Sequence, residues 1–329
     1  MSNKSLDNDE INLSIVIPHY NIPTLLDTLL STIPKREDFQ IIVVDDNSTK
    51  YQEAFRDVIK KHRDKRVEVY SNTAGKNGPG LCRNLGLDHA VGKWILFIDA
   101  DDYFLDNWVS AVSFYFDSLN DAVYFPPTSL YIESGSPANR HIGMRNLVLN
   151  YHDDPSRENE LRLRFMIDTT CSAIYRREFL IDHNIRYEDS IVAEDMMFPV
   201  MVGAYAERVA CDDRVITCWT AREGSLTFKA DPERVRLSNE TSIRRHAFIL
   251  KSLSSKEDLA VLEKENFGIA LVISTIANGY GIKDAFRYIG IMKKENVPIL
   301  DLQTVNFRKL IASWKKSLAK RIRKILNVR

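Results

Sequence analysis

Short apolar runs alternate with amphipathic segments along the N-terminal third of the chain. Four runs have the length and the Val and Ile content of buried strands, and they cover residues 13–17, 41–44, 67–70 and 94–98. The first run is expected to stop at Pro18. Helices are predicted between the runs, over residues 22–33, 51–62 and 78–91. Strands of this kind that alternate with helices predict an α/β domain with a mostly parallel central sheet.

The rest of the chain divides into a mixed region and a region of helices alone. Short strands are predicted at 122–125, 171–175 and within 208–219, with helices near 160–167 and 194–205. The aromatic residues between 103 and 116 are interpreted as a helix that packs in the core. Only helical patterns follow residue 231, over 232–253, 256–278, 282–295 and from 301 onward. We therefore predict an α/β domain over residues 1–228 and a helical C-terminal region over 229–329.

Length and composition are those of a globular protein with a sizeable core, since the 329 residues are 44% hydrophobic and 27% charged. The 45 basic and 45 acidic side chains cancel, which gives no support for a nucleic-acid-binding protein. The four cysteines form no C-x-x-C pair, so we expect reduced thiols and a cytoplasmic protein. The N-terminus is unlike a signal peptide, and no apolar run predicts a transmembrane helix.

Acidic side chains cluster where the predicted strands end. Asp99, Asp101 and Asp102 directly follow the fourth strand, and a second acidic turn at residues 45–46 follows the second strand. Ligands of parallel sheets bind beyond the carboxyl ends of the strands. Hard divalent cations such as Mg²⁺ or Mn²⁺ prefer carboxylate oxygens together with substrate phosphates. The alternative is a solvated acidic turn that caps the next helix, but two such turns on neighbouring strands favour a nucleotide or metal site.

A glycine-rich loop over residues 75–80 precedes the third predicted helix, and Arg83 lies one turn into that helix. Glycines permit close approach of the backbone to a ligand, and a helix N-terminus offers N–H groups to an anion. The spacing is neither that of a P-loop nor that of a dinucleotide-binding strand–turn–helix. A plain turn is the alternative, so the loop alone predicts little.

A third acidic pair, Glu194-Asp195, stands just ahead of an apolar helical segment. An Asp at this position is most often an N-cap. The functional interpretation is a general base at the rim of a cleft, with Asp195 receiving a proton from an attacking hydroxyl group.

Six short motifs follow one another along residues 13–227. They are S-I-V-I-P-H-Y-N at 14–21, V-V-D-D-N-S at 43–48, G-P-G-L-C-R-N-L-G at 78–86, F-I-D-A-D-D at 97–102, E-D at 194–195 and R-E-G-S-L-T at 222–227. In this set and order the chain resembles the family 2 glycosyltransferases, which are inverting enzymes with the GT-A fold. The Q-x-x-R-W signature of processive synthases is absent, which argues against a cellulose- or hyaluronan-synthase-like enzyme.

The resemblance implies a nucleotide site at the first three motifs. Pro18 and Tyr20 are expected to border the base, and Asp46 to contact the base or the ribose. Arg83 is expected to lie along the nucleotide.

The resemblance also implies the groups that carry the chemistry. Asp99 is expected to contact the ribose or the sugar, and Asp101 to hold a divalent metal, Mn²⁺ or Mg²⁺, that bridges the diphosphate. Asp195 takes the place of the catalytic base. Arg222 and Ser225 fall where members of the family contact the diphosphate or close a loop over it.

These roles together predict a metal-dependent inverting glycosyltransferase. Its donor is expected to be a nucleotide-sugar, a UDP-sugar in particular, and its acceptor a glycan or a lipid-linked molecule of bacterial surface polysaccharide or glycolipid synthesis. Two alternatives are a nucleotidyltransferase of similar fold and a non-catalytic membrane-associated scaffold. The first would need an N-terminal triphosphate loop that residues 18–21 do not supply, and the retention of Asp99, Asp101 and Asp195 argues against the second.

The last segment, residues 306–329, is basic and amphipathic. It contains no acidic residue, and its apolar residues recur at steps of three and four. Such a helix either lies on an anionic membrane surface, here at its cytoplasmic face, or docks on its own protein with the lysines outward. The helical region before it is a candidate for acceptor recognition or for assembly into a homo-oligomer, and the sequence leaves these open.

Overall fold

The computed structural model of the protein describes residues 11–190, 192–221, 231–262, 267–278 and 280–300. The chain forms two compact units, residues 1–225 and 226–329. The predicted domain boundary between residues 228 and 229 falls within 222–230, outside the described residues, and stays a prediction.

The first unit contains ten strands and eight helices in its described part. The strands are β1 (Leu13–His19), β2 (Phe39–Asp45), β3 (Val67–Ser71), β4 (Trp94–Phe97), β5 (Tyr103–Phe104), β6 (Ala122–Tyr124), β7 (Thr128–Tyr131), β8 (Ala173–Arg176), β9 (Val209–Cys211) and β10 (Thr217–Ala221). The helices are α1 (Pro23–Thr32), α2 (Gln52–Lys61), α3 (Pro79–His89), α4 (Trp108–Ser113), α5 (Ile142–Asp153), α6 (Arg157–Met166), α7 (Arg177–Asp182) and α8 (Met197–Tyr205).

Seven strands form the central sheet in the order β3-β2-β1-β4-β8-β6-β9. The pairs β3/β2, β2/β1, β1/β4 and β6/β9 are parallel, and only β8 runs antiparallel to its neighbours. The remaining strands form a small sheet in the order β5-β10-β7. The predicted α/β fold with a mostly parallel sheet is therefore confirmed.

Both faces of the central sheet are covered, because side chains that alternate along β1 enter two separate cores. Val16 belongs to the core on the face that also holds Cys82 and Leu87 of α3. Ile15 and Ile17 belong to the opposite core, which includes residues of α1 and α4. This is why the strand is a continuous apolar run and not an alternating one.

Pro18 does not end β1, contrary to the expectation from the sequence. The strand continues to His19, and Pro18 pairs in register with Val44 of β2. The pairing of β1 with β4 stops at Val16, whose carbonyl oxygen accepts from the N–H of Ile98. The backbone groups of Pro18 face the same side as those of Val16, towards β4. The pairing with β4 has already ended at Val16, so the N–H that proline lacks would not have made a hydrogen bond in the sheet.

The aromatic segment 103–116 is not one helix. Tyr103 and Phe104 form β5 and pair with β10, and only α4 is helical. Trp108 is buried as predicted, but Phe114 is 73% exposed, so the expectation of a fully buried aromatic helix is wrong in part.

The second unit is helical in its described part. Its helices are α9 (Pro232–Ser252), α10 (Lys256–Val261), α11 (Phe267–Ala277) and α12 (Ile282–Lys294). Ile243, Tyr288, Met292 and Val297 form its buried core. None of the described helices combines the length and the hydropathy needed to cross a bilayer. The basic segment 306–329 lies outside the described residues.

Candidate active site

The carboxyl ends of β2, β1 and β4 meet at one edge of the central sheet, because these strands are adjacent and parallel. The acidic turn 99–102 follows β4 directly and is closed by a 3.0 Å hydrogen bond from the N–H of Asp102 to the carbonyl oxygen of Asp99. The sequence prediction of polar turns gathered at this edge is thus realised in the fold.

Asp46 ties the end of β2 to the glycine-rich loop. Its carboxylate accepts from the N–H of Gly78 at 2.9 Å and from Nδ2 of Asn72 at 2.6 Å, and the residue is only 7% exposed. Gly78 is the residue before α3, so this carboxylate sets where that helix begins. Both carboxylate oxygens of Asp46 thus already accept hydrogen bonds within the protein. The contact of Asp46 with a base or ribose stays a prediction.

His19 and Asp45 make a second connection between β1 and β2. Nδ1 of His19 lies 2.8 Å from Oδ1 of Asp45, and Oγ of Ser48 donates to the same oxygen at 2.6 Å. Next to them, Pro18 is buried in β1, whereas Tyr20 is 49% exposed. Of the two residues predicted to border a nucleotide base, Tyr20 is therefore the one that presents its ring to solvent.

Arg83 joins two acidic segments that are far apart in sequence. Its guanidinium donates to Oδ1 of Asp99 at 2.5 Å and to Oε1 of Glu194 at 3.1 Å. Only 4% of the residue is exposed, and the guanidinium carbon lies 5.2 Å from the centre of the Tyr187 ring. Arg83 thus positions the acidic turn after β4 against the segment that carries Asp195.

Gly80 permits the close contact between α3 and the segment before α8. A Cβ atom at this position would lie 2.8 Å from Cγ of Glu194 and 2.9 Å from the carbonyl oxygen of Glu188. Such distances are shorter than real carbon contacts, so only glycine fits here without displacing that segment.

Asp195 is half-buried beside Glu194. It is not an N-cap, since α8 begins at Met197 after Met196 and has no side-chain capping bond. Burial raises the pKa of Asp195 to about 7, and the neighbouring Glu194 carboxylate adds to the shift, while the Arg83 guanidinium opposes it. A carboxylate with a pKa near neutrality is suited to accept a proton in a reaction at physiological pH.

Three possible metal-ligating groups converge at the acidic turn in the described residues. One carboxylate oxygen each of Asp99 and Asp102 and Sγ of Cys171 lie within 4.8 Å of one another. Burial, and after it the charges of Asp101 and Asp99, raise the pKa of Asp102. Burial likewise raises the pKa of the Cys171 thiol. A thiol sulfur is a soft ligand, whereas Mg²⁺ and Mn²⁺ prefer oxygen ligands.

Strand β10 holds the acidic turn in place. The N–H of Thr220 donates to Oδ1 of Asp102 at 2.8 Å, and its Oγ1 donates to the carbonyl oxygen of Asp101 at 2.8 Å. The Asp101 carboxylate, predicted as the metal ligand, is not one of the three converging groups, although it lies between Asp99 and Asp102 in the turn.

The structure brings Arg83 into contact with Asp99 and with Glu194, the neighbour of Asp195, and the roles predicted for Arg83, Asp99 and Asp195 stay predictions. Arg222 and Ser225 lie outside the described residues. The contacts of Glu194 and Thr220 were not predicted from the sequence. The adjacency of Glu194 to Asp195 was a usable signal, whereas no local pattern marks Thr220.

Solved structures share this fold. A fragment of S. aureus TarS in complex with UDP-GlcNAc superposes with a TM-score of 0.66 at 20% identity, over 96% of this chain and 92% of that one. The mannosyltransferase PcManGT of Pyrobaculum calidifontis, in complex with GDP-Man and Mn²⁺, superposes with a TM-score of 0.51 at 16% identity, over 95% and 87%. At these identities the likeness concerns the fold, which is the GT-A fold expected from the sequence.

Several known proteins are similar in sequence to this chain over parts of their length. The poly(ribitol-phosphate) beta-N-acetylglucosaminyltransferase TarS of Staphylococcus aureus is 25% identical over 221 residues, which are 65% of this chain and 36% of TarS. The GalNAc(5)-diNAcBac-PP-undecaprenol beta-1,3-glucosyltransferase of Campylobacter jejuni is 33% identical over 102 residues, 30% of this chain and 33% of that protein. The match thus spans about a third of each relative.

A family model accounts for the part of the site that precedes Glu194 and Asp195 in the sequence. The model of glycosyl transferase family 2 matches residues 14–183, which are just over half of the chain. This segment includes β1, the glycine-rich loop, Arg83 and the acidic turn 99–102. The chain belongs to glycosyl transferase family 2.

Proposed function

We propose that the protein is a metal-dependent inverting glycosyltransferase that moves a sugar from a UDP-sugar to a hydroxyl group of a glycan or lipid-linked acceptor. The observation that carries this proposal is the bridge formed by Arg83. It joins Asp99, at the ligand-binding edge of the sheet, to Glu194, the neighbour of the near-neutral acid Asp195. A donor site and a general base are thereby held together.

Asp195 acts as the general base. Its carboxylate takes the proton of the acceptor hydroxyl group as the oxygen attacks the anomeric carbon of the sugar. The bond to the nucleoside diphosphate breaks in the same displacement, so an α-linked donor yields a β-linked product. A base whose pKa is about 7 accepts this proton and releases it again near neutral pH.

Arg83, Tyr20 and the loop held by Asp46 belong to the donor site in this proposal. The half-exposed ring of Tyr20 borders the base. The Asp46 carboxylate keeps Gly78 and the start of α3 in place beneath the nucleotide. Arg222 and Ser225 are proposed to contact the diphosphate.

The donor set of the acidic turn fits a hard divalent cation. The carboxylates of Asp99 and Asp102 converge, and carboxylate oxygens are the groups that Mn²⁺ and Mg²⁺ prefer. Asp99, Asp101 and Asp102 would hold the ion, whereas the soft sulfur of Cys171 is not a ligand that these hard cations prefer. When bound, the cation would neutralise the charge that develops on the leaving diphosphate.

The relatives support the proposed substrates. TarS is named for the transfer of N-acetylglucosamine to poly(ribitol-phosphate), and one TarS structure contains UDP-GlcNAc. The Campylobacter relative is named for a glucosyl transfer to an undecaprenol-linked saccharide. One named acceptor is a polymer of ribitol phosphate and the other is an undecaprenol-linked saccharide. We propose that the acceptor of this protein is likewise a glycan or a lipid-linked molecule of bacterial surface polysaccharide or glycolipid synthesis.

A screen of donors tests the proposed function. The protein is incubated with UDP, UDP-GlcNAc, UDP-glucose, GDP-mannose and UTP, each with and without Mn²⁺, and its melting temperature and the release of nucleoside diphosphate and of pyrophosphate are recorded. The proposal expects stabilisation by UDP only with Mn²⁺ present, and UDP release when an acceptor is added. Stabilisation by nucleoside triphosphates instead, with release of pyrophosphate, would favour a nucleotidyltransferase.

We also propose that residues 306–329 bind the anionic cytoplasmic face of a membrane. The support is the sequence alone, which places nine Lys and Arg residues in a segment without acidic residues. Sedimentation with vesicles containing phosphatidylglycerol is expected to require this segment. Equal sedimentation of a variant that ends at residue 305 would contradict the proposal.

A further inference from the structure

A cavity of about 300 Å³ opens in the first compact unit. It is lined by α5, the end of α6 and β10 through Arg140, Gly143, Met144, Leu147, Met166, Asp168 and Trp219. None of these residues has a role in the donor site described above. The volume is at the lower end of small-molecule sites, roughly 300–1,000 Å³, which suits a single sugar or polyol unit.

The aromatic wall of the cavity carries an unsatisfied donor. Trp219 is 7% exposed, and its Nε1 has no hydrogen-bond partner in the described part of the chain. A buried N–H without an acceptor is unfavourable, and the hydroxyl oxygen of a ligand would supply the acceptor. Met144 and Met166 line the same space, and their unbranched side chains can repack to admit a ligand.

The polar wall of the cavity presents both charges. Arg140 and Asp168 are exposed, and Nη1 of Arg140 donates to the carbonyl oxygen of Thr220. A guanidinium donates to hydroxyl groups, and a carboxylate accepts from them. Opposite charges on one rim, next to an aromatic ring, suit a neutral polyhydroxylated unit better than an anion alone.

The cavity is connected to the acidic groups of the site. Thr220, adjacent to Trp219, donates to Asp102 and to the carbonyl oxygen of Asp101. A molecule in the cavity would therefore lie beside the acidic turn.

We propose that this cavity is the acceptor subsite, and that it holds the sugar or polyol unit whose hydroxyl group is glycosylated. The inference rests on the proposed glycosyltransferase function. Trp219 packs against the unit, and Arg140 and Asp168 bond its other hydroxyl groups. In the reaction the acceptor oxygen forms a bond to the anomeric carbon, the bond from that carbon to UDP breaks with its electron pair, and the proton passes to Asp195.

Gly143 allows the cavity to be filled without disturbing the backbone. A Cβ atom at Gly143 would meet nothing within 4 Å, and the residue is in the first turn of α5. Gly143→Leu therefore places a side chain at the mouth of the cavity. The matched control is Gly290→Leu in α12, where a Cβ atom also meets nothing within 4 Å.

The test measures binding directly, by saturation-transfer NMR, in the presence of UDP and Mn²⁺. Two probes represent the two kinds of acceptor unit. A ribitol phosphate oligomer represents a polyol, and an alkyl glycoside of N-acetylglucosamine represents a sugar. We expect wild-type protein and Gly290→Leu to bind one probe with equal affinity. Gly143→Leu is expected to weaken that binding about tenfold or more, while its affinity for UDP does not change.

A second variant covers the case in which Gly143→Leu does not fold. Trp219→Phe keeps an aromatic ring but removes the unpaired N–H together with part of the indole ring system, so it is expected to weaken probe binding while the affinity for UDP does not change.

Binding of neither probe by the wild-type protein, or equal binding by the wild type and both cavity variants, would overturn the assignment of the cavity. If binding depends on the cavity but no sugar is transferred from any donor, the cavity is a site for a polyhydroxylated ligand, and the proposed glycosyltransferase function fails together with the acceptor role.

Discussion

Nη2 of Arg83 lies 2.5 Å from Oδ1 of Asp99, at the point where the acidic turn after β4 meets α3. The other arm of the same guanidinium reaches Glu194, 111 residues further along the chain. This pair of contacts connects the carboxyl edge of the sheet, the proposed donor site, to the segment that contains the proposed base Asp195. Its removal is expected to affect both stability and acid–base chemistry.

Arg83→Met is expected to lower the free energy of unfolding by about 3 kcal/mol, because Glu194 loses its buried cation. This value is the lower end of the usual cost of breaking a buried ion pair, because the Asp99 side chain is 38% exposed. Denaturant unfolding of Arg36→Met is the control, because the Arg36–Asp38 pair is partly exposed and is worth about 1 kcal/mol or less. Equal effects of the two variants would show that the Arg83 bridge adds no more stability than a partly exposed ion pair.

Asp195→Asn is expected to retain UDP binding and to lose sugar transfer by about 10²–10⁴-fold, the usual contribution of a general base. The measurement is the rate of product formation together with the affinity for UDP. Asp153→Asn is the control, since the Asp153 side chain is 75% exposed at the end of α5. Turnover of Asp195→Asn close to that of the wild type would exclude Asp195 as the base.

The pH dependence of kcat/KM reports the ionisation of the free enzyme. Burial, followed by the Glu194 carboxylate, raises the pKa of Asp195 to about 7. The base is active when deprotonated, so kcat/KM is expected to fall as the pH drops below about 7. An acid limb near pH 4, the ordinary range of an Asp, would mean that Asp195 is solvated or is not the base.

The same ionisation affects stability. The folded-state pKa of Asp195 lies above its unfolded value of 3.8. The folded protein therefore binds the proton more tightly, and stability is lost as the pH rises from about 4 to about 7. Asp195→Asn has no such ionisation, so its melting temperature relative to the wild type is expected to be higher at pH 8 than at pH 4. An equal difference at both pH values would contradict the raised pKa.

Gly80→Ala tests whether close packing of α3 positions the base. The added methyl group would displace Glu194 or the backbone at Glu188, and a shift of about 1 Å at a catalytic group can reduce the rate about 100-fold. We expect the free energy of activation, calculated from kcat, to rise by more than the free energy of unfolding falls. Gly290→Ala, in open space on α12, is the control and is expected to retain full activity. An active Gly80→Ala would show that the contact is not needed.

Much of the central sheet follows from the sequence because β1, β2 and β4 each contain a run of three or more consecutive apolar residues that are buried. Both faces of β1 are buried, so its residues need no polar alternation and the strand is easily recognised. The polar turns at 45–46 and 99–102 could be predicted for the same reason, since they interrupt these runs at their carboxyl ends.

The segments that were missed depend on contacts distant in sequence. Helix α5 contains Gly143 and two asparagines, Asn146 and Asn150, which weaken its helical pattern. Tyr103 and Phe104 are a strand only because β10 supplies their partners. The bridge from Arg83 to Glu194 is likewise absent from any local pattern, because an ion pair between residues so far apart is created by the fold.

The central claim, a single inverting displacement with Asp195 as base, is tested most directly by following one reaction by proton NMR. The full-length protein is mixed with α-linked UDP-GlcNAc, Mn²⁺ and an acceptor identified in the screen, and the anomeric signals are recorded over time. We predict a β-linked product that appears in step with free UDP for the wild type, and no product for Asp195→Asn over the same period. An α-linked product, or a β-linked product formed equally fast by Asp195→Asn, would contradict the account.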